Sequence, residues 1–355
     1  MKKLTAIVSL VLAVCLLSGC AGSPVIYYTD CTCPADAHVQ TPATQPEATE
    51  PPVVAEGAVK TGLAVITSVA DSADGEAKYD VTIVAVLVDD NGVIHDCIID
   101  SVGASVKFDA SGAITSDLAA QILTKNELGE NYGMVAYGNA IAEWDAQAAA
   151  LAKYAVGKDA AALRSGAIDE TGYAADADLA SSATIYLGGY VHAIEIAAGT
   201  AKHLGAQTGD TLKLAVISSA ADSKPADAEN AGNAQLNVDV AAITMNGETI
   251  TSCYIDAVQA KVAFDQSGTI TSEIGGAVST KNQLGDQYGM KAWGGAQFEW
   301  WQQAESFCAY VTGKTAAEVA GIAVDEGTKP TDADLSTSVT IAIGGFMALI
   351  EKAAQ

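Results

Sequence analysis

One unit is written twice in this chain, and that repeat limits what the chain can fold into. TKNELGENYGM at 124–134 returns as TKNQLGDQYGM at 280–290. Trp144 returns as Trp300, Asp178 as Asp334 and Cys97 as Cys253, each 156 residues on. Upstream, LAVITSVADS at 63–72 returns as LAVISSAADS at 214–223, only 151 residues on. The second copy therefore carries five extra residues, placed in the loop near 225–237. A period this long exceeds the roughly 20–45 residues of a solenoid unit. It implies two tandem domains, 59–207 and 208–355, each of a common domain size and each expected to hold its own core.

Within a copy, the first half reads as β-structure. Leu63 to Val69 alternates apolar and polar residues, and Val81 to Val88 is rich in Val and Ile. Asn91-Gly92 then signals a hairpin, with Val93 to Ile99 returning. Ala104 to Phe108 follows, and Asp109-Ala110-Ser111-Gly112 turns the chain into Ala113 to Thr115. The second half reads as helical. Ala140 to Ala155 places Ile141, Trp144, Ala148, Leu151 and Ala155 on one face, with Gly157 as its stop. A last helix is expected from Thr184 to about Ala201, and from Thr340 to Ala354 in the second copy. The expected class is α+β: two tandem copies of one domain, each an antiparallel β-meander followed by packed helices.

The N-terminus reads as an address and a tether. Lys2 and Lys3 precede an apolar run from Leu4 to Leu17, of signal-peptide length and short for a bilayer span. The run ends in Leu17-Ser18-Gly19-Cys20, which resembles a bacterial lipobox. The resemblance implies cleavage after residue 19, lipidation of Cys20, export, and anchoring to the outer face of the cell membrane. Residues 20–58 hold six of the eight prolines, with Thr, Glu, Gln and Ala, and read as an extended spacer. Cys31, Cys33 and His38 lie within it as side chains of a mobile tether.

Composition excludes several functions. Lys and Arg number 18 against 43 Asp and Glu, a formal charge of −25. Losing Lys2 and Lys3 with the leader takes it to −27. Such a surface does not hold nucleic-acid phosphates. Apolar residues make up 50%, too many for a disordered chain. Seven cysteines in 355 residues make no disulfide framework. His38, His95, His192 and His203 have no counterparts in the other copy and no metal-ligand spacing. No nucleophile–base pair marks a hydrolase. Cys97 and Cys253 read as small buried thiols, and Cys308 as helix filler. Asp109-x-Ser111-Gly112 and Asp265-x-Ser267-Gly268 read as hairpin turns and not as calcium loops. Trp144 and Trp300 suit core packing or the stacking of a planar ligand.

Two segments carry the functional reading. The repeated TKNELGENYGM keeps Lys125 and Lys281 in a chain poor in cations. It either contacts an anion through those lysines or forms a tight turn at Tyr132-Gly133-Met134. The second segment precedes the last helix. It reads Asp178-Leu179-Ala180-Ser181-Ser182-Ala183-Thr184 in copy one and Asp334-Leu335-Ser336-Thr337-Ser338-Val339-Thr340 in copy two. It is followed by Gly188-Gly189 and Gly344-Gly345, each helical Gly costing about 1 kcal/mol against Ala.

This segment resembles the end of the FMN-binding domain family, which includes flavin-carrying lipoproteins of extracellular electron transfer. The family pattern is Asp, two residues, Ser or Thr, Gly, Ala, then Thr or Ser. Ser182 and Ser338 stand where that pattern has Gly, and Val339 where it has Ala. The resemblance implies FMN joined by a phosphodiester to Thr184 and Thr340, with Asp178 and Asp334 at the acidic position. It also implies a flavin transferase and a membrane electron donor as partners. Ser181, Ser182, Thr337, Ser338, the four glycines and the two lysines complete the expected cofactor site. A phosphate would suit the N–H groups of a helix start. A non-flavin surface binding or structural lipoprotein is the alternative, with Ser and Thr serving as helix caps.

Overall fold

The computed structural model describes residues 57–355; the leader, Cys20, Cys31, Cys33, His38 and the tether lie outside them. Each repeat opens with three antiparallel strands: β1 (Lys60–Ser68), β2 (Glu76–Val88) and β3 (Ile94–Lys107), then β4 (Thr211–Ser219), β5 (Gly232–Asn246) and β6 (Thr249–Phe264). Helices follow each sheet. The first repeat has α1 (Lys125–Leu128), α2 (Met134–Gly138), α3 (Trp144–Ala155), α4 (Ala160–Ala167), α5 (Ala177–Ala180) and α6 (Gly188–Gly199). The second has α7 (Lys281–Leu284), α8 (Met290–Gly294), α9 (Trp300–Val311), α10 (Ala316–Ala320), α11 (Ala333–Ser336) and α12 (Gly344–Ala353). The class is α+β, in two like copies. No helix among the described residues is long and apolar enough to cross a membrane.

The strands explain how the copies meet. Side chains alternate across a strand, so a strand apolar at nearly every position must be covered on both faces. In β2, Val81, Ile83, Ala85 and Leu87 point one way, and Val84, Val86 and Val88 the other. The second set packs under α3 and α6. The first set meets the equivalent face of the other sheet, Leu236, Val238, Val240 and Ala242 of β5. Ile243, Cys253 and Ile255 pack under α9 and α12. The layers therefore run helices, sheet, sheet, helices. Each repeat has a core of its own beneath its helices, and the two share a third between the sheets.

The shared core is nearly two-fold symmetric. Phe108 and Phe264, the same position in the two copies, stack with centroids 3.8 Å apart and planes 8° from parallel. Thr67 pairs with Val278, and its counterpart Ser218 with Ile122, so each repeat reaches across to the first strand of the other. The strand partners Thr67 and Val81 are 14 residues apart, and their counterparts Ser218 and Val238 are 20 apart. Hence that loop gains six residues in the second copy, and the next hairpin loses one.

Several local expectations shift. The strands expected at Val93–Ile99 and Ala104–Phe108 merge into one continuous strand, β3, over Ile94–Lys107. Gly92 turns the β2–β3 hairpin at φ +81°, while the Asp89 carboxylate accepts the N–H groups of Asn91 and Val93. The helix expected from Ala140 starts at Trp144, and Ile141 is exposed rather than on its buried face. Glu143 takes that start: its carboxylate accepts N–H groups of Met134 and Val135 at 2.8 and 3.0 Å, which ties the preceding segment down. Asp109 and Asp265 accept N–H groups around tight turns, as expected. Cys97, Cys253 and Cys308 are buried and free.

Truncating a fully packed aromatic leaves a cavity. Phe108→Ala and Phe264→Ala should each cost about 3–5 kcal/mol, read as a fall in the denaturation midpoint. Because each ring covers the other, the double variant should cost clearly less than the two singles combined. Strict additivity would show that the rings do not act together.

Candidate functional site

The repeated TKNELG segment is first a structural device. Thr124 and Glu127 form a reciprocal capping box on α1, as Thr280 and Gln283 do on α7. The Asn126 side chain donates to the Ile99 carbonyl at 2.9 Å, and its N–H donates to the Asp100 carboxylate at 3.2 Å. Asn282 repeats both bonds with Ile255 and Asp256. Gly133 and Gly289 then turn at φ +83° and +81°, a left-handed conformation that suits glycine. The segment is thus pinned to the sheet edge, and the turn reading holds.

Its lysines are held between rings. The Lys125 ammonium lies 5.3 Å from the Tyr132 ring centroid and 5.1 Å from that of Trp144. Lys281 lies 5.2 Å from Tyr288 and 4.9 Å from Trp300. Each contact contributes about 0.5–2 kcal/mol, more as water is excluded. Among the described residues, neither ammonium has a carboxylate within 4.0 Å.

In the first repeat these groups wall a cleft of about 490 Å³. The strands supply Ile66, Ser68, Asp80 and Thr82, and the β1–β2 loop supplies Asp71. Opposite them stand Lys125, Tyr132, Met134 and Trp144, with Ile185, Tyr186, Gly189 and Tyr190 closing one side. Trp144 is buried, meets Tyr190 edge-on at 5.7 Å, and donates its indole N–H to the Tyr190 hydroxyl at 3.1 Å. Burial raises the pKa of Tyr190, and the nearby Lys125 charge works against that.

The motif before the last helix is arranged differently from expectation. The final helices begin at Gly188 and Gly344, so Thr184 and Thr340 stand four residues before them. A buried glutamine holds the segment between. The Gln147 side-chain oxygen accepts from Thr184 N–H at 2.8 Å, Thr184 Oγ1 at 3.3 Å and Ile185 N–H at 3.2 Å. Gln303 does the same for Thr340 and Ile341, at 2.8, 3.2 and 3.2 Å. The bridge satisfies the backbone N–H groups of Thr184 and Ile185 outside the helix. Gly188 and Gly189 are consequently in the first turn, not the interior. A Cβ on Gly188 would stand 2.6 Å from the hydroxyl of the exposed Tyr186 side chain. In the second repeat Thr328 presses on Gly344 instead.

The remaining motif residues are local. Asp178 and Asp334 are exposed, and the caps of α5 and α11 are Asp176 and Asp332. Ser181 and Ser182 donate to the Asp178 carbonyl, Thr337 to that of Asp334, and Ser338 to that of Leu335. Of the expected cofactor residues in the first repeat, Lys125 and Gly189 line the cleft, beside the Ile185 and Tyr186 that follow Thr184. Gly188 and Gly189 also border a neighbouring open hollow with Arg164 and His192, where Arg164 is paired with Glu195. No group of three or more His, Cys, Asp or Glu suited to a metal occurs among the described residues.

The second repeat keeps the frame and changes the lining. Strand register puts Asp239 where the first repeat has Thr82, and Asn237 where it has Asp80. Ala342 stands for Tyr186 and Phe346 for Tyr190. Phe346 is buried, 5.7 Å from Trp300. Burial raises the pKa of Asp239, and Lys281 pulls it back. This repeat thus supplies its own carboxylate toward its lysine. Gly345 borders Asp239, its added Cβ falling 3.9 Å from Oδ2. Sequence reasoning missed Gln147, Glu143 and Asp100 with their counterparts Gln303, Glu299 and Asp256. All six recur at the 156-residue spacing, which was the available signal.

Scans of the chain against protein-family models, curated proteins and solved structures gave no match.

The buried carboxylate behind the second lysine segment gives a pH test. Burial pushes Asp256 up to about 6, against the bonds from Thr280, Asn282 and Ala257 that lower it. The folded chain therefore binds this proton more tightly than the unfolded chain does. Stability from this group is full below about pH 4 and falls as pH rises through 6, by about 3 kcal/mol in all. Asp256→Asn keeps an acceptor oxygen without the charge. Its stability, measured by denaturant melts from pH 4 to 7.5, should lack that fall and exceed the wild type at pH 7.5. Parallel curves would contradict the assignment.

Proposed function

We propose that the chain is an exported lipoprotein, anchored through Cys20, whose first repeat binds a flat ring system bearing an anionic group. FMN is the ligand that the motif at Asp178–Thr184 points to. The observation that carries this reading is the cleft itself: Trp144, Tyr132, Tyr186 and Tyr190 line it with a Lys125 ammonium that, among the described residues, has no carboxylate within 4.0 Å, while Asp71 and Asp80 stand on the strand side. Its volume lies in the range of pockets that hold small ligands, roughly 300–1,000 Å³. The rings offer stacking surface for a flat ring, and Lys125 offers a charge for a phosphate.

Thr184 suits a covalent link. Its side chain is exposed, and its backbone N–H keeps the bond to Gln147 whether or not the hydroxyl is esterified. Only the longer hydroxyl bond, at 3.3 Å, would be lost. With flavin in place, the domain would carry electrons from a membrane donor outward, after loading by a flavin transferase. Thr340 makes the same bonds to Gln303, but its repeat has Asp239, Ala342 and Phe346 where the first has Thr82, Tyr186 and Tyr190. The first repeat is therefore the primary site, and the second its structural partner.

A second reading is a surface lipoprotein without flavin. It is favoured by the Gln147 and Gln303 bridges, which give Thr184 and Thr340 one structural task in both repeats. The mature protein purified from its own host separates the two. The first reading expects flavin absorbance and an FMN adduct on the peptide holding Thr184, both lost in Thr184→Ala. In transferase-free protein, added FMN should quench tryptophan fluorescence, and Lys125→Ala should weaken that binding about tenfold, the loss of one charge-assisted bond. A colourless native protein that also fails to bind free FMN leaves the second reading.

A further inference from the structure

The second repeat holds a pair of sulfurs that the first lacks. Cys253 is on β6 and Cys308 on α9, both in the core beneath the helices. The strand and the helix pack on one another, and both cysteines belong to the same core cluster. In the first repeat Cys97 keeps the strand position, but Ala152 replaces the helix cysteine. Both thiols border a cavity of about 430 Å³ that reaches past Leu204 to the Lys202–Glu305 ion pair, 2.7 Å long, at the surface. Both thiols therefore open on a single space large enough for a small reagent. The ligand cleft of the first repeat contains neither.

We propose that Cys253 and Cys308 are a cross-link site, closing to an intramolecular disulfide that joins β6 to α9 by exchange with a small-molecule disulfide entering this cavity. One cysteine, as thiolate, attacks a sulfur of the reagent RSSR and displaces RS⁻, leaving a mixed disulfide. The other thiolate attacks the protein sulfur of that mixed bond and displaces the second RS⁻. The two protein thiols lose two electrons, RSSR is reduced to two RSH, and the two thiol protons end on the released thiols. Burial, with the neighbouring Cys308, holds the Cys253 thiol protonated, so the reaction quickens with pH, by about tenfold per unit near neutrality. The bond would fix α9, which carries Trp300 and Gln303, to the sheet. An oxidising location outside the cell would keep it closed.

The test uses the full mature chain, reduced and then incubated with bis(2-hydroxyethyl) disulfide at pH 7 and 8. Samples are quenched in acid, denatured, alkylated and mapped with trypsin. The proposal expects the peptides holding Cys253 and Cys308 to be joined, Cys97 to stay open to alkylation, and the joined fraction to grow faster at pH 8. The oxidised chain should melt about 5 °C or more above the reduced one. Cys308→Ala copies the Ala152 of the first repeat, so it should fold; it should show neither the linked peptide nor the melting shift. Cys253 and Cys308 both still alkylable after prolonged incubation would overturn the proposal. So would a melting shift that persists in Cys308→Ala.

Discussion

Each three-stranded sheet in this chain is apolar on both faces, and its own helices can cover only one. That constraint organises the rest. Val81, Ile83, Ala85 and Leu87 find cover only against Leu236, Val238, Val240 and Ala242. The second copy is therefore the missing half of a sandwich, closed on a near two-fold axis through Phe108 and Phe264. Burial of these side chains contributes about 1.5–3 kcal/mol each, which makes the shared core the largest joint stake of the two repeats. The arrangement has the form of a symmetric dimer joined into one chain.

A joined dimer frees its halves to diverge. The frame common to both is set by buried polar groups: Asp100 and Asp256 pin the lysine segments, and Gln147 and Gln303 pin the threonines. These bonds are costly to leave unmade in a core, so they hold in both copies. Around that frame the linings differ. The first repeat surrounds Lys125 with Tyr132, Trp144 and Tyr190 and leaves a cleft. The second turns Phe346 inward and presents Asp239 to Lys281. The two halves thus share one frame and differ in the side chains that line it.

Much of the fold was legible in the residues. The repeat, the β-then-helix order, the Gly157 stop and the Asp109 turn follow from periodicity and turn chemistry. The helix starts did not. Ile141 continues an apolar period that the Glu143 cap interrupts, and Thr184 opens a Ser/Thr-rich approach that Gln147 diverts. At Glu143 the cap's carboxylate is drawn to Met134 and Val135, and at Thr184 a buried glutamine from another helix overrides the local pattern; a single sequence does not show which groups come near. The facing sheets were legible only in part: the Val81–Val88 run signals two covered faces, but the identity of the second cover is a matter of tertiary contact. Of the site, Lys125 and Trp144 were visible as kept residues. Tyr186 and Tyr190 were not, because neither has an aromatic hydroxyl counterpart in the second copy.

The two repeats form one body because each lacks a cover for its inner sheet face. Producing 57–207 and 208–355 as separate chains tests it most directly, by sedimentation and thermal melting alone and after mixing. Each half alone should self-associate or fail to melt cooperatively, and mixing should yield a one-to-one complex with a single transition. Two halves that are each monomeric, cooperatively folded and indifferent to one another would contradict it.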